Sequence, residues 1–441
     1  MKQVTVSRRE FIRRTALAAG SLMIVPRRLL GGQGYIPPSD ELTKAVIGVG
    51  GMGRGHLRYP GSRLLAVCDV DSGHLRTALD FCEAGVKGYP DFREVLERPD
   101  IDIVHIVTPP HWHALISVAA AEAGKDIWCE KPMTRTIGEG IKVVEAVQRY
   151  GRIFRVNTWF RFRDVFYELG TPVKPVKKAV SHGLLGWPLK ITISGVTGFD
   201  WKFYWSGKTY LEPQPVPPEL DYNFWLGPAP FKPYHPHRVH ESFRGYWDYD
   251  GGGLGDMGMH YLDPVQYILD KDNTSPVEVE ADGPQQHPDA CLSWRRIRLR
   301  YADGCEIILD GENRDTEAAF IEGPDGKIFR DLESDIPHLR DKVALLPDPQ
   351  PEPEDFSEAV RRRRKFALNE ANGHRSCTLV NLAKIAVRLG RGLRFDPVTQ
   401  RFIGDEEANR LADEPMRAPW HLPIIQSLQG HNPAQSTGRK N

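Results

Sequence analysis

A glycine-rich turn near the start of the chain constrains its fold more than any other feature. The apolar, β-branched run 45–49 leads into Gly48, Gly50 and Gly53 with the spacing G-x-G-x-x-G, and helix-compatible residues follow. Between a strand and a helix, this spacing is typical of dinucleotide binding, because it allows a tight turn, close approach of a pyrophosphate and close helix packing. The helix N-terminus adds a positive dipole end. The cofactor-binding residues predicted here are Gly48, Gly50, Gly51, Met52 and Gly53.

A carboxylate at the end of the next apolar run indicates which dinucleotide binds. The run 64–68 ends in Asp69, 21 residues after Gly48. An acidic residue at this distance accepts hydrogen bonds from the ribose hydroxyls and repels a 2′-phosphate. We therefore predict NAD(H) as the cofactor, with NADP(H) as the alternative.

Residues 40–158 form the predicted nucleotide-binding domain. Between Thr43 and Asn157 short apolar runs alternate with helical segments of about 12 residues, which favours a doubly wound parallel sheet with helices on both faces. Ligands bind at the carboxyl ends of such strands. Gly50, Asp69, Thr108 and Glu130 all follow strands, and we expect them to meet there.

The first 32 residues have the pattern of an export signal. Ser7-Arg8-Arg9-Glu10-Phe11-Ile12 contains a twin arginine, and a weakly apolar run follows up to Val25. That run is too short to span a bilayer as a helix. We expect export of the folded protein, either to the periplasm or tethered to the membrane by an uncleaved signal. A basic amphipathic helix is the alternative, and no further transmembrane segment is predicted.

The charge balance argues against a nucleic-acid partner. The chain has 58 basic and 58 acidic residues, so its formal net charge is zero. The run Arg361–Lys365 is interpreted as a solvated helix end. Six scattered cysteines contain no C-x-x-C pair, and no disulfide framework is predicted.

Three motifs along the chain resemble those of the Gfo/Idh/MocA family, which includes glucose–fructose oxidoreductase and inositol dehydrogenase. They are the segment Thr108–His113, the sequence Cys129-Glu130-Lys131-Pro132 directly after a strand, and Gly251–Asp263, which contains a D-x-x-x-H pattern. The resemblance implies that Lys131, Asp256 and His260 are catalytic and that Thr108, Pro109, His113, Glu130 and Lys131 contact the cofactor. It also implies a cis peptide at Lys131-Pro132 and a homo-oligomer, either a dimer or a tetramer.

The chemistry of these residues supports the same roles. Oxidation of an alcohol requires a base for the hydroxyl proton, and histidine is well suited near neutral pH. Asp256 and His260 are four residues apart, so on a helix they share a face and the carboxylate can orient the imidazole. Lys131 can stabilise negative charge developing on the oxygen. A helix cap and a packed histidine are the structural alternative for Asp256 and His260.

The second predicted domain, residues 159–395, is interpreted as a mainly antiparallel open sheet for substrate binding and oligomer contacts. Its aromatic and proline-rich stretch 199–247 is predicted to lie over the site, with Arg161, Arg238 and His240 as candidate substrate-binding residues. A proline-stiffened packing loop is the alternative. No metal site is predicted from the histidines at 235, 237 and 240. An extended arm, 396–425, and a disordered tail, 426–441, complete the chain.

Together these features predict an oxidoreductase that moves a hydride between tightly bound NAD(H) and a secondary alcohol of a sugar, cyclitol or glycoside. Tight binding is expected because no free nicotinamide pool exists outside the cytoplasm. An NAD-dependent glycoside hydrolase or lyase that works through a transient ketone is one alternative. A non-catalytic nucleotide-binding or scaffold protein is another.

Overall fold

The computed structural model describes residues 41–158, 161, 173–194, 205–312 and 318–423. The predicted signal, residues 1–32, and the predicted tail, 426–441, lie outside the described residues, as does part of the stretch 199–247. From Thr43 onward the described residues belong to one compact unit that contains two sheets.

The first sheet is the predicted parallel sheet. Its six strands lie in the order β3-β2-β1-β4-β5-β6, and all neighbours pair in parallel. The strands are β1 (Thr43–Ile47), β2 (Arg63–Cys68), β3 (Lys87–Tyr89), β4 (Ile103–Ile106), β5 (Asp126–Glu130) and β6 (Phe154–Asn157). The helices are α1 (Gly51–His56), α2 (Ser72–Asp80), α3 (Phe92–Leu96), α4 (His113–Glu122) and α5 (Ile137–Arg149).

Burial on both faces explains why these strands read as continuous apolar runs. Every residue of β1, β4 and β5 is buried. The helix starts follow local sequence rules: Asp71 caps α2, and Thr136 forms a capping box with Glu139 at the start of α5. The doubly wound Rossmann sheet is confirmed.

The second sheet has eight strands in the order β12-β11-β7-β10-β9-β8-β13-β14. They are β7 (Lys190–Ile193), β8 (Glu278–Asp282), β9 (Arg296–Arg300), β10 (Glu306–Asp310), β11 (Ile321–Gly323), β12 (Gly326–Ile328), β13 (Leu393–Asp396) and β14 (Arg401–Phe402). All pairings are antiparallel except that of β7 with β10. The mainly antiparallel sheet is confirmed.

Two long helices connect the sheets. The remaining helices are α6 (Val173–Ser181), α7 (Tyr222–Leu226), α8 (Gly252–Ile268), α9 (Leu339–Leu345), α10 (Phe356–Arg362), α11 (Glu370–Leu389) and α12 (Glu406–Ala412). Helix α11 packs against both α5 and α8. Helix α8 is buried over nearly its whole length. It brings side chains from the second half of the chain to the edge of the first sheet, where Asp256 contacts Lys131.

One prediction about the second half needs correction. The arm 396–425 is not simply extended, because β14 and α12 lie within it and β13 pairs with β8.

The residues 361–365 are exposed, as predicted. All six cysteines are free thiols. Among the described helices, none is long and apolar enough to cross a membrane.

Candidate active site

A cavity of about 500 Å³ lies at the carboxyl ends of the first sheet, within the size range of small-molecule sites. We call the part formed by Gly48, Gly50, Gly53 and Asp69 the nucleotide end. The part formed by Lys131, Arg244, Asp250 and Asp256 is the chemical end. The cavity is also lined by the aromatic residues Phe92, Trp112, Phe224, Trp225 and Phe243.

The glycine turn leaves no room for side chains at two positions. Gly48 has a left-handed φ of 85°, and a Cβ there would lie 2.7 Å from the carbonyl oxygen of Val107. A Cβ on Gly53 would lie 1.9 Å from the carbonyl oxygen of Gly48. A Cβ on Gly50 would meet only the ring of His74, at 3.5 Å. The turn is therefore held tight while its second glycine remains open to the cavity, as a pyrophosphate requires.

Asp69 is fixed at the nucleotide end by the backbone. Its Oδ2 accepts a hydrogen bond from the Val49 amide at 2.9 Å, and its Oδ1 accepts one from the Asp71 amide at 2.9 Å. Both oxygens keep further acceptor capacity toward the cavity that the side chain lines. The donors and acceptors at this end fit the ribose and pyrophosphate of NAD.

Thr108 and Pro109 line the cavity as predicted, whereas His113 does not. The Thr108 hydroxyl is buried and has no hydrogen-bond partner among the described residues, which leaves it available to a ligand. His113 is fully buried, and its ring nitrogens each lie 2.8 Å from a carbonyl oxygen, of Pro132 and of Thr108. It supports the two loops that border the cavity, and the predicted direct contact with the cofactor is corrected.

Glu130 lines the cavity at the end of β5 and is held by a buried network. Its Oε1 lies 2.9 Å from His56 Nε2 and accepts a hydrogen bond from Asn157 Nδ2 at 2.5 Å, while His56 also contacts His105 at 3.1 Å. Burial alone would raise the pKa of Glu130, but His56 and the Lys131 charge hold it at about 2. Glu130 is therefore a fixed negative charge.

Lys131 and Asp256 form the centre of the chemical end. Lys131 Nζ donates to Asp256 Oδ1 at 2.7 Å and to the Asp256 carbonyl at 2.8 Å, and Arg244 Nε donates to the same Oδ1 at 2.8 Å. Burial favours the neutral acid, but the two cations outweigh it and hold the pKa of Asp256 far below its usual range. The peptide Lys131-Pro132 is cis, as predicted.

Two residues of this end were missed from sequence. Arg244 lies 12 residues before Asp256 in the aromatic-rich stretch, with its guanidinium 4.8 Å from the centre of the Trp205 ring. Asp250 directly precedes the glycines that begin α8, and it lines the cavity while almost fully buried. Burial first, and then the negative charge of Asp256, raises the pKa of Asp250 to about 7. In the sequence, the position of this carboxyl group directly before Gly251 was the one feature that could have indicated Asp250 as a site residue.

His260 lies one turn further along α8 than Asp256. It has no exposed surface and is not part of the cavity lining, whereas Asp256 is. The geometry therefore does not bring its ring to the cavity surface, and its role as the base stays a prediction.

Of the three candidate substrate-binding residues, two are engaged elsewhere. Arg161 is buried and donates to both Asp263 and Asp272, at 2.8–2.9 Å. Arg238 donates to Asp289 at 2.6 Å and is likewise outside the cavity lining. These two assignments are corrected, since buried ion pairs hold the Arg161 guanidinium and an ion pair with Asp289 holds that of Arg238, both outside the cavity lining.

His240 does line the cavity, but at the nucleotide end. Its Nε2 lies 3.4 Å from Asp71 Oδ2, and its ring centre is 4.6 Å from that of His74. These three residues could together hold a metal ion, since their ligand atoms lie within 4.8 Å of one another. One Asp71 oxygen already caps α2, however, and His74 interacts with Asp69.

The described part of the stretch 199–247 lines the cavity, in keeping with its predicted place over the site. Ser72 donates to the Glu219 carbonyl at 2.9 Å, and Asp221 donates to the Val70 carbonyl at 3.1 Å. Phe224 in this stretch stacks on Trp420 with ring centres 5.7 Å apart. The loop after β2 is therefore pinned directly to the stretch that covers it.

A parallel sheet with a glycine turn and an anchored Asp69, with Lys131 of the same domain paired to Asp256 of the second, is the arrangement expected of a nicotinamide-dependent oxidoreductase. Residues 42–158 match the family model for the NAD-binding Rossmann fold of the GFO/IDH/MocA oxidoreductases. Residues 169–422 match the model for the C-terminal alpha/beta domain of this oxidoreductase family. The chain belongs to the Gfo/Idh/MocA family.

Relatives within the family differ in activity. Inositol 2-dehydrogenase from Salmonella paratyphi B is 30% identical over 156 residues, which cover 34% of this chain and 44% of the relative. The chain thus spans less than half of that relative's length. A glycosyl hydrolase family 109 protein from Shewanella pealeana is 26% identical over 238 residues, 46% of this chain and 51% of the relative.

The fold also matches solved structures. The WlbA dehydrogenase from Bordetella pertussis, in complex with NADH and UDP-GlcNAcA, superposes with a TM-score of 0.55 at 17% identity. The match covers 81% of this chain and 99% of that structure.

Proposed function

We propose that the protein is an oxidoreductase that moves a hydride between tightly bound NAD(H) and a secondary alcohol of a sugar, cyclitol or glycoside. The observation that carries the proposal is one cavity that joins an NAD-type nucleotide end to the Lys131–Asp256 pair. A bound nicotinamide supplies the hydride acceptor. The inositol dehydrogenase relative and the sugar-nucleotide complex of the structural neighbour support a polyhydroxylated substrate.

The contacts around the cavity support retention of the cofactor. The stretch 205–249 contributes to the cavity lining and is hydrogen-bonded to the loop after β2, and we expect these contacts to slow the release of a dinucleotide. The twin-arginine pattern at Arg8 and Arg9 supports export, and a retained cofactor suits a compartment without free nicotinamide. We expect replacement of both arginines by lysine to keep the protein in the cytoplasmic fraction. We also propose that the protein is a homo-oligomer, as membership of the family implies. Sedimentation of the purified protein would measure its oligomeric state.

The test is an absorbance spectrum of the purified, desalted protein before and after addition of sugars, cyclitols and glycosides. We expect nicotinamide to remain bound and the reduced-nicotinamide band to rise with one substrate class. Denaturation then gives the amount of cofactor per chain. An empty protein in which no sugar reduces added NAD would contradict the proposal and favour a binding or scaffold role.

A second candidate is an NAD-dependent glycoside hydrolase, which the family 109 relative supports. In that reaction oxidation is transient, so a chromogenic glycoside should release its aglycone without net accumulation of NADH. Net NADH without aglycone release favours the oxidoreductase.

A further inference from the structure

An aromatic cluster in the cavity wall is assembled from four separate segments of the chain. Phe92 begins α3, Trp112 precedes α4 and Phe224 belongs to α7, and all three line the cavity. Trp420 is not part of the lining, but its ring centre lies 4.9 Å from that of Trp112 and 5.7 Å from that of Phe224. The Arg93 guanidinium lies 5.6 Å from the ring centres of both Phe224 and Trp420. Trp420 therefore joins a ring of the nucleotide-binding domain to a ring of α7.

Arg417 attaches the same part of the chain to the end of α7. Its Nε donates to the Gly227 carbonyl at 2.9 Å, and its two terminal nitrogens donate to the side-chain oxygen and the carbonyl of Asn223, both at 2.8 Å. The Arg417 amide donates to the Pro228 carbonyl at 2.8 Å. Carbonyl groups at the end of a helix lack intrahelical partners, and a cation is favourable there. Arg417 thus fixes the short helix that contains Phe224.

Glu414 anchors this part of the chain at a third point. It accepts hydrogen bonds from Arg388, at 2.7 Å, and from Arg135. Arg388 belongs to α11, and Arg135 lies in the loop between β5 and α5. The segment 414–420 is therefore fixed to the protein interior at one end and to the aromatic wall at the other.

We propose that Arg417 and Trp420 are positioning residues for the cofactor, which hold the aromatic wall of the cavity in place and thereby slow the departure of NAD(H). The inference rests on the retained cofactor of the proposed function. Trp112 and Phe224 come from different domains, so widening the cavity between them requires their rings to separate. The contacts of Trp420 with both rings oppose that separation.

Two further contacts show that Trp112 and α7 are closely fitted. The indole N–H of Trp112 donates to the Trp225 carbonyl at 2.9 Å. A Cβ on Gly227 would lie 2.0 Å from the Trp112 ring, so this ring packs directly on the backbone at the end of α7. Because Arg417 holds the Gly227 carbonyl, loss of its guanidinium should loosen the surface on which Trp112 rests.

The first test compares Trp420→Ala with Trp187→Ala, a tryptophan that is 43% exposed and outside the cavity lining. Protein loaded with NADH is mixed with excess NAD, and the fall in NADH fluorescence gives the dissociation rate. We expect dissociation to be about 10-fold faster in Trp420→Ala, because two ring contacts are lost, and little changed in the control. Trp420→Phe keeps an aromatic ring and should restore most of the wild-type rate.

The second test uses Arg417→Ala, with Arg410→Ala, exposed on α12, as the matched control. Dissociation of NADH should again be about 10-fold faster in Arg417→Ala, because charge-assisted hydrogen bonds to the end of α7 are lost. The association rate constant should not fall in Arg417→Ala or in Trp420→Ala, since a looser wall admits the cofactor at least as readily. A general loss of folded structure would instead lower the fraction of chains that bind.

The two rate constants decide the outcome. Dissociation at the wild-type rate in both Trp420→Ala and Arg417→Ala overturns the inference, and so does faster dissociation in Trp420→Phe that equals that of Trp420→Ala. A wild-type protein that emerges from desalting without nicotinamide removes the retention in the proposed function. In that case the same rates, measured with added NADH, still test the positioning role by itself.

Discussion

The nucleotide end of the cavity is built from backbone and from missing side chains, whereas the chemical end is built from four charged side chains. At the first, Gly48 and Gly53 shape the turn, and backbone amides of Val49 and Asp71 fix the Asp69 carboxylate. At the second, two cations converge on a single oxygen of Asp256. Steric fit therefore limits which substitutions the nucleotide end can accept, whereas the balance of charges limits them at the chemical end.

The difference also lies in how far apart the contributing residues are in the chain. The nucleotide end comes from one strand–turn–helix unit and the strand after it. At the chemical end, Lys131 and Asp256 are separated by 125 residues and come from different domains. Substitutions at the nucleotide end should change cofactor retention, and substitutions at the chemical end should change the rate with the cofactor still bound.

The largest effect is expected for Lys131→Met. Loss of the ammonium removes the stabilisation of charge on the substrate oxygen, so the turnover rate should fall about 100- to 1,000-fold. The retained nicotinamide should be little changed, because the nucleotide end is intact. Lys142→Met, on the surface of α5, is the matched control and should behave like wild type. Loss of cofactor in parallel with loss of turnover would contradict the separation of the two ends.

Sequence reasoning predicted the nucleotide end well because its determinants are local. The strand, the turn and Asp69 lie within one short segment, so their spacing in the sequence determines how they are placed around the nucleotide end. Lys131 and Asp256 were found through motifs, but their pairing with Arg244 was not, since no local pattern links an arginine in a proline-rich stretch to a helix. Chain periodicity gives no information about such long-range placement.

Arg161 illustrates the opposite error. A lone arginine near a predicted site suggests binding of hydroxyls, yet its partners, Asp263 and Asp272, lie 102 and 111 residues further along the chain. Only the packing of α8 shows that they occupy its guanidinium. The regular elements of the second sheet were predictable from alternation and the turn at 302–304, whereas the arm 396–425 was not. Its strand and helix are short and depend on contacts with β13 and α11.

A smaller, purely steric effect is expected for Gly53→Ala. The new Cβ would lie 1.9 Å from the Gly48 carbonyl oxygen, so the turn must shift. We expect the free energy of unfolding to fall by about 1–3 kcal/mol, together with a loss of retained nicotinamide. Gly55→Ala, on the same helix, meets no atom within 4 Å and should leave stability unchanged or slightly raised. Thermal unfolding and the cofactor content of the desalted protein report both quantities, and equal behaviour of the two variants would remove the steric argument.

The smallest effect is expected for Asp69→Ala. This substitution removes one polar side chain from the nucleotide end, which is otherwise formed by backbone groups. Its loss deprives the ribose of an acceptor and releases the amides of Val49 and Asp71, so NAD should bind about 10-fold more weakly. Discrimination against NADP should narrow as well, because a negative charge that repels a 2′-phosphate is gone. Asp80→Ala, exposed at the end of α2, is the control. Titration of the cofactor-free protein with both dinucleotides measures the ratio. If NAD affinity and the ratio were both unchanged, Asp69 would have no part in binding, and the nucleotide end would depend on its backbone alone.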